Sequence, residues 1–202
     1  MQPAEFIARF QSPTTLLPQR DFPDLPITRQ AAVMINLVLL SSPDASSKDQ
    51  AKPTLHALFT RRSAHLKHHG GQISFPGGKY EGSDLSLMHT AIRETHEEVG
   101  FAVAEEHIVG SLSHYPTISG FSVTPFVAIL DTVPNITIDR NEVSESFYVP
   151  LEYLLNPNNY LSHSVTRNGS KYPVYFLPWQ NTYIWGATAG MLMNLCSATY
   201  LP

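Results

Sequence analysis

Residues 75–101 read FPGGKYEGSDLSLMHTAIRETHEEVGF. The proline and paired glycines near its start predict a turn, and the apolar spacing that follows predicts a helix from about Leu85 to Val99. Gly100 stands where a residue of left-handed conformation is expected to end that helix. One stripe of the helix should pack on a sheet, and it contains Met88, Ala91, Ile92, Thr95 and Val99.

The same helix carries three glutamates, Glu94, Glu97 and Glu98, within an arc of roughly 100° that is expected on the side away from the stripe. Carboxylates at these spacings repel one another, and a divalent cation with oxygen ligands, such as Mg²⁺ or Mn²⁺, would remove the repulsion. The alternative is a solvated helix face, because acidic strings of this kind are common on protein surfaces. The turn and a basic loop upstream favour the metal site, since phosphoryl chemistry needs positioning and neutralisation of charge.

The composition favours one globular domain with neither a membrane span nor a nucleic-acid partner. The chain has 202 residues, 43% of them hydrophobic, and a net charge of -4, whereas binding to a nucleic-acid backbone favours a basic surface. No run of about 18 strongly apolar residues suggests a membrane span, and the N-terminus lacks the apolar run of a signal peptide. Cys196 is the single cysteine, so no internal disulfide forms and a reducing, cytoplasmic location is expected.

The order of predicted elements is that of a mixed α/β domain, residues 31–202, with residues 1–30 as an N-terminal extension packed on it. A short helix is expected around Glu5 to Gln11, with irregular chain after it because prolines recur. The segment 41–53 is polar and loop-like. Strands are predicted at 31–40, 55–60, 73–75, 108–115, 123–130, 146–149 and 172–177, a short helix from Pro150, and a final helix over 184–198.

The helix and the turn before it resemble the signature of the Nudix hydrolases. That signature is G-x5-E-x7-R-E-U-x-E-E-x-G-U, in which U is apolar, and its second half falls on Arg93, Glu94, Glu97, Glu98 and Gly100, with Thr95 in an apolar slot. Asp84 stands six residues after Gly78, in place of the first glutamate. Arg93 is one position further on than the common spacing, so the loop before the helix contains one extra residue.

The extra residue and the stretch upstream resemble one branch of that family, the coenzyme A pyrophosphatases. That branch has an L-L-T-x-R-S segment followed by G-Q-V-x-F-P-G-G. Here Arg62 and Ser63 match the first segment, with Phe59 in place of a leucine. The second segment is matched by Gly71, Gln72, Phe75, Pro76, Gly77 and Gly78. With similar segments downstream, the resemblance covers about residues 30–195.

The resemblance implies both a fold and a reaction. The fold would be an α/β/α sandwich with a mixed β-sheet, with the signature as loop, helix and loop. The reaction would be metal-dependent hydrolysis of the diphosphate of coenzyme A or its derivatives, in which water attacks phosphorus and 3',5'-ADP and 4'-phosphopantetheine are released. Mg²⁺ or Mn²⁺ is the implied cofactor. A homodimer is expected from the resemblance alone, because dimers are common in Nudix proteins.

The resemblance also assigns roles around the helix. The expected metal ligands are Glu94, Glu97 and Glu98, while the backbone carbonyl of Gly78 is either a further ligand or part of a simple turn. Arg93 is expected to orient a glutamate, because a guanidinium pairs with a carboxylate in a fixed fork. Glu142 resembles the downstream glutamate that serves as base or extra ligand, and the alternative is a solvated loop residue.

Substrate binding is assigned to the basic loop and to the turn. Arg61, Arg62 and Lys67 are expected to hold phosphates, and the alternative for each is a solvated loop cation. Gln72 and Phe75 belong to the coenzyme A motif and are assigned to the substrate site on that basis.

Three alternatives to this interpretation remain. One is a Nudix hydrolase of ADP-ribose, NADH or another nucleoside diphosphate derivative, which the upstream motif disfavours. A second is a non-catalytic Nudix domain that binds a nucleotide, which is disfavoured because such domains usually lack some of the three glutamates. A third is a zinc site at His65, His68 and His69, disfavoured by the hard oxygen ligands nearby and the lack of a cysteine partner.

Overall fold

The chain forms a mixed sheet, a smaller antiparallel sheet and four α-helices within the part that is described. The computed structural model describes residues 1–12, 27–41, 52–66, 68–167 and 169–199. The helices are α1 (Pro3–Phe10), α2 (Leu87–Val99), α3 (Leu151–Leu154) and α4 (Ala187–Thr199). The strands are β1 (Arg29–Leu40), β2 (Thr54–Arg62), β3 (Ile73–Ser74), β4 (Gly77–Lys79), β5 (Ile108–Ser111), β6 (Tyr115–Pro116), β7 (Phe121–Leu130), β8 (Val143–Pro150), β9 (Leu161–Arg167), β10 (Ser170–Trp179) and β11 (Thr182–Trp185).

Strand β1 is at the centre of the mixed sheet. It pairs in parallel with β7, from Arg29↔Phe121 to Val38↔Leu130, and antiparallel with β2 and β4. Beyond these neighbours, β2 pairs with β3 and β8, while β7 pairs with β5 and β6. The smaller sheet has the order β11-β10-β9. A central strand has both faces covered, which explains why β1 is a nearly continuous apolar run.

The side chains of β1 alternate between two hydrophobic layers. Met34 packs in the layer that contains Ala91 of α2. Ile35 packs in the opposite layer, which contains Phe6 of α1 and Leu192 of α4. Helices therefore cover both faces of the sheet, and the predicted α/β/α sandwich with a mixed β-sheet is confirmed.

Most predicted elements correspond to observed ones, although the final helix begins at Ala187 rather than at 184, and the sequence patterns miss three strands. β9 is largely polar and exposed, so it lacks an apolar run. β11 is a four-residue strand that follows a tight turn with Gln180 at a φ of 49°, a conformation that glutamine rarely signals. β4 begins at Gly77, directly after Pro76, where the turn residues predicted only the end of a strand.

Other predicted segments need smaller corrections. The expected strand 108–115 is interrupted after Ser111, and its register against β7 shifts between Ile108 and Gly110. Residues 13–26 and 42–51, predicted as irregular chain and loop, lie outside the described residues. Within the described part of the chain, no helix combines the length and the apolar character needed to cross a membrane.

Helix α4 approaches the core closely enough that a methyl group at Gly190 has no room. An added Cβ would overlap the ring and hydroxyl of Tyr115, which is fully buried. We expect Gly190→Ala to lower the free energy of unfolding by about 1–3 kcal/mol from overpacking, even though alanine gains about 1 kcal/mol of helix propensity. Urea unfolding followed by circular dichroism measures the change.

Gly82→Ala is the matched control, because nothing lies within 4 Å of a Cβ added there. It should change the free energy of unfolding by less than about 0.5 kcal/mol. Equal or greater stability of Gly190→Ala would show that Tyr115 does not pack against α4 as described.

Candidate functional site

Helix α2 has a defined beginning and end, which fix the direction of its acidic side chains. Ser86 is the N-cap, and its hydroxyl accepts a hydrogen bond from the backbone N–H of His89 at 3.3 Å. Gly100 has a φ of 80° and donates its N–H to the carbonyl of His96 at 2.9 Å. The helix therefore runs from Leu87 to Val99, two residues shorter at its start than the sequence pattern predicts.

Arg93 is the centre of a carboxylate network. Its Nε and Nη2 donate to the two oxygens of Asp84 at 2.9 and 3.1 Å. Its Nη1 donates to Glu94 Oε1 and to Glu97 Oε2, both at 2.9 Å, and Nη2 also donates to the carbonyl of Lys79 at 3.2 Å. With its donors engaged in this way, the guanidinium orients neighbouring carboxylates rather than offering a free surface to a ligand.

Asp84 is a positioning residue whose role was not assigned from the sequence. Its carboxylate is buried and accepts further hydrogen bonds from the Thr90 hydroxyl at 2.8 Å and the backbone N–H of Glu81 at 3.0 Å. The hydrogen bonds from Arg93 hold the pKa of Asp84 well below its usual range. The sequence offered one signal for this role, because Asp84 occupies the position of the first glutamate of the Nudix signature.

Glu98 is buried between α2 and the sheet, which corrects the expectation that all three glutamates point away from it. Glu98 is only 2% exposed. Seven residues make almost two helical turns, so Glu98 lies within about 20° of Ala91, which belongs to the packed stripe. The helix geometry therefore already separates Glu98 from its more exposed neighbour Glu97.

The carboxylate of Glu98 is held by few partners. Burial, assisted by the negative charges of Glu94 and Glu142, raises its pKa to about 8, against the lowering effects of Arg62 and of a backbone hydrogen bond from Gly77. Nη1 of Arg62 lies 3.5 Å from Oε1 of Glu98. The Oε2 atom is buried without a hydrogen-bond partner among the described residues. An acid in this setting favours either a proton or an additional cation.

Glu94 and Glu97 differ in their surroundings although both contact Arg93. Burial raises the pKa of Glu94, against the lowering effect of Arg93. The backbone of β4 lies directly against Glu94, because a Cβ added to Gly78 would overlap its carboxylate. Any other residue at position 78 would therefore displace the Glu94 carboxylate from this position. The Glu97 side chain is 54% exposed, and Arg93 is its ion-pair partner among the described residues.

Glu142 is exposed, but backbone hydrogen bonds fix the loop that carries it. Its carbonyl accepts from the N–H of Ser63 at 2.8 Å, and its own N–H donates to the carbonyl of Asp139 at 3.0 Å. The N–H of Asp139 in turn donates to the carbonyl of Glu98 at 3.1 Å. The loop thus joins the end of β2 to the end of α2. The negative charge of Glu142 raises the pKa of both Glu94 and Glu98, which places it at the same site.

The residues assigned to phosphate binding have different positions. Arg62 contacts Glu98, as described above, whereas Nε of Arg61 donates to Glu145 Oε1 on β8 at 2.8 Å. Lys67 lies outside the described residues. Only Arg62 of this group is therefore seen beside the acidic residues of α2.

Gln72 and Phe75, the two motif residues assigned to the substrate site, have different surroundings. Oε1 of Gln72 is 2.8 Å from Nδ1 of His69, within the turn that follows β2. Phe75 is 1% exposed and stacks on Phe59 with 4.8 Å between ring centroids. The ring of Phe75 is thus enclosed in the core, where it packs beneath the site, and its assignment to the substrate site stays a prediction.

A divalent cation fits these residues, although they do not form a complete cage. Among the described residues, no three Asp, Glu, His or Cys side chains stand close enough together to form a metal site by themselves. The partnerless oxygen of Glu98 and its electrostatic coupling to Glu94 are nevertheless the features that a cation would satisfy. Mg²⁺ typically binds through one or two carboxylates and completes its shell with water and substrate phosphates.

Comparison with known proteins agrees with this description. A family model described as NUDIX domain matches residues 47–167. The uncharacterized Nudix hydrolase NudL of Yersinia pestis (strain Pestoides F) is 36% identical over 201 residues, covering 95% of this chain and 92% of that protein. The protein of the same name from Yersinia pseudotuberculosis serotype O:1b (strain IP 31758) has the same identity and coverage.

A solved structure shares the fold. The MutT/nudix family protein from Enterococcus faecalis has a TM-score of 0.52, with 15% sequence identity, and the match covers 97% of this chain and 68% of that one. Enzymes of this family act on the pyrophosphate bonds of small nucleoside diphosphate derivatives. The family model covers more than half of the chain, and NudL is well above 30% identical over nearly its whole length. The predicted enzyme class is confirmed, and this chain belongs to the Nudix hydrolase family.

Proposed function

We propose that this Nudix hydrolase cleaves the diphosphate of coenzyme A or its derivatives to 3',5'-ADP and 4'-phosphopantetheine. The observation that supports the proposal most directly is the contact between Arg62 and Glu98 at 3.5 Å. Arg62 belongs to the motif that resembles the coenzyme A branch, and Glu98 belongs to the Nudix signature. Their contact brings a phosphate-binding type of cation to the acidic residues that carry the family's chemistry.

Nudix hydrolases generally use divalent metal ions, and we propose Mg²⁺ or Mn²⁺ here. Glu94 and Glu98 would hold the ion, with Glu97 and the Gly78 carbonyl as further oxygen donors next to them. When bound, such an ion neutralises charge on the diphosphate and makes its phosphorus more electrophilic. The choice rests on ligand type, because carboxylate, carbonyl and water oxygens suit these hard cations.

The protein's own side chains would position the reactants. Arg93 holds Glu94 and Glu97 in fixed orientations, and Arg62 offers a guanidinium to a phosphate oxygen. Glu142, an exposed carboxylate at the same site, is suited to accept the proton of the attacking water. One P–O bond then forms to the water oxygen while the anhydride P–O bond breaks, leaving two phosphate monoesters.

A substrate comparison tests the proposal. Purified protein with Mg²⁺ or Mn²⁺ is given coenzyme A, ADP-ribose and NADH separately, and products are identified by mass spectrometry. We expect 3',5'-ADP and 4'-phosphopantetheine from coenzyme A, at a kcat/KM well above that for the other two. Glu98→Gln should lower kcat by at least about a hundredfold, because it removes a buried charged ligand.

The two parts of this test fail independently. Preferred cleavage of ADP-ribose or NADH would retain the diphosphatase and reject coenzyme A as the substrate. Near wild-type turnover by Glu98→Gln would reject the site assignment whatever the substrate. Glu97→Gln, on the same helix but mostly exposed, is the matched variant and should lower kcat less than Glu98→Gln.

The buried Glu98 also predicts how stability depends on pH in the absence of metal. Its pKa is raised from 4.5 to about 8. Between these values the unfolded chain loses the proton while the folded protein keeps it, so the free energy of unfolding falls as pH rises and the loss is complete above about pH 8. Glu98→Gln removes this titration and should be more stable than the wild type at pH 8, by up to a few kcal/mol.

Thermal unfolding with a chelator present, from pH 4.5 to pH 8.5, measures the effect. The advantage of Glu98→Gln should shrink toward pH 4.5, because the ordinary pKa of 4.5 leaves the unfolded chain increasingly protonated there, as the folded protein already is. A gain of the same size in Glu97→Gln, or a gain independent of pH, would show that burial of the Glu98 charge is not its cause.

A further inference from the structure

The guanidinium of Arg62 lies close enough to the carboxylate of Glu98 to neutralise part of its charge. It is 3.5 Å from one oxygen of that carboxylate, while the other oxygen has no hydrogen-bond partner among the described residues. The contact is longer than the 2.9 Å hydrogen bonds by which Arg93 holds Glu94 and Glu97. The charge of Glu98 is therefore balanced by a guanidinium that is not locked in place.

The backbone beneath Arg62 is fixed, so only its side chain has freedom to move. The N–H of Arg62 donates to the carbonyl of Gln72 at 2.9 Å, and its carbonyl accepts from Gly71 at 3.0 Å. Arg61 and Arg62 have different partners, Glu145 and Glu98, as neighbours on a strand do, and the pairing with β8 shifts register between them. Arg62 retains partial exposure, with 26% of its side chain accessible.

A divalent cation bound to Glu98 would lie close to the guanidinium of Arg62, because both contact the same carboxylate. Two positive charges beside one carboxylate repel at these distances. The guanidinium would then turn away from Glu98, and a phosphate oxygen brought by the substrate is the anion that its planar fork best matches.

We propose that Arg62 is an exchangeable counter-ion, paired with Glu98 in the metal-free protein and with a substrate phosphate once a divalent cation binds Glu98. This inference rests on the proposed metal site, but not on coenzyme A as the substrate. Arg62 thereby opposes binding of the metal alone and favours binding of a diphosphate once the metal is present. Metal and diphosphate therefore bind with positive coupling, which must be reciprocal.

Two binding measurements test the exchange without relying on turnover. Calorimetry at pH 9, where proton competition for Glu98 is small, gives the affinity for Mg²⁺ alone. A second titration in saturating Mg²⁺ gives the affinity for α,β-methylene-ADP, a diphosphate that lacks the hydrolysable anhydride. We expect Arg62→Ala to bind Mg²⁺ about fivefold more tightly and the diphosphate about tenfold more weakly.

The control variants separate charge from geometry. Arg61→Ala removes the same charge one residue away, from a side chain engaged with Glu145, and should leave the affinity for Mg²⁺ unchanged. Arg62→Lys keeps the charge but lacks the planar fork, so its Mg²⁺ affinity should remain near the wild-type value while its affinity for the diphosphate falls. Circular dichroism establishes that each variant is folded.

Arg62→Ala is thus expected to change the two affinities in opposite directions, which the loss of a merely structural side chain would not do. Weaker or unchanged binding of Mg²⁺ in Arg62→Ala, or undiminished binding of the diphosphate, would overturn the inference. If the affinities change as expected while the wild type fails to cleave coenzyme A, the exchange stands and the proposed substrate falls. If coenzyme A is cleaved but the affinities do not change, the proposed substrate stands and the exchange is rejected.

Discussion

The carboxylate of Glu98 is placed where water scarcely reaches it, and the arrangement of the site depends on this. A buried ionised group loses its hydration, and that loss is offset only by charges or hydrogen bonds supplied by the protein or by a bound ion. Here Arg62 supplies part of the compensation and the pKa remains raised to about 8. The folded protein thus leaves part of the Glu98 charge uncompensated. This is expected of a carboxylate that binds a ligand rather than of one in a structural ion pair.

Arg93 provides the contrast, because its surroundings are complete. Asp84 receives two hydrogen bonds from the guanidinium and two more from Thr90 and Glu81. Such a paired, hydrogen-bonded buried carboxylate prefers its charged form, so the network is a rigid support. The same helix therefore holds one saturated ion pair that positions Glu94 and one unsaturated carboxylate, Glu98. Rigid support beside an unsatisfied group is the combination by which a protein prepares a site before its ligand arrives.

The parts of the molecule that local chemistry controls were predictable from the sequence. The end of α2 at Gly100 and the central apolar strand β1 follow from backbone preference and periodicity. The partners of Arg61 and Arg62 were not predictable, because alternation along a strand separates neighbouring side chains but does not tell which of the two meets Glu98. Phe75 belongs to a motif associated with substrate, yet its ring packs on Phe59, since a motif records family likeness and not the direction of a side chain. Burial of Glu98 could have been anticipated from its angular position above Ala91, but the strength of its desolvation depends on the packed sheet.

Glu142 shows why an acidic residue in a loop is difficult to assign from sequence and easier from structure. In the sequence it is one carboxylate in a polar segment, forty-four residues after Glu98. In the structure, backbone hydrogen bonds from Ser63 to Glu142 and from Asp139 to Glu98 join this loop to the ends of β2 and α2. Because the main chain makes these contacts, the side chain of Glu142 is not needed to hold the loop and stays exposed to solvent. A carboxylate on a fixed backbone, close enough to raise the pKa of Glu98 but exposed to water, suits the general-base role that we propose for it.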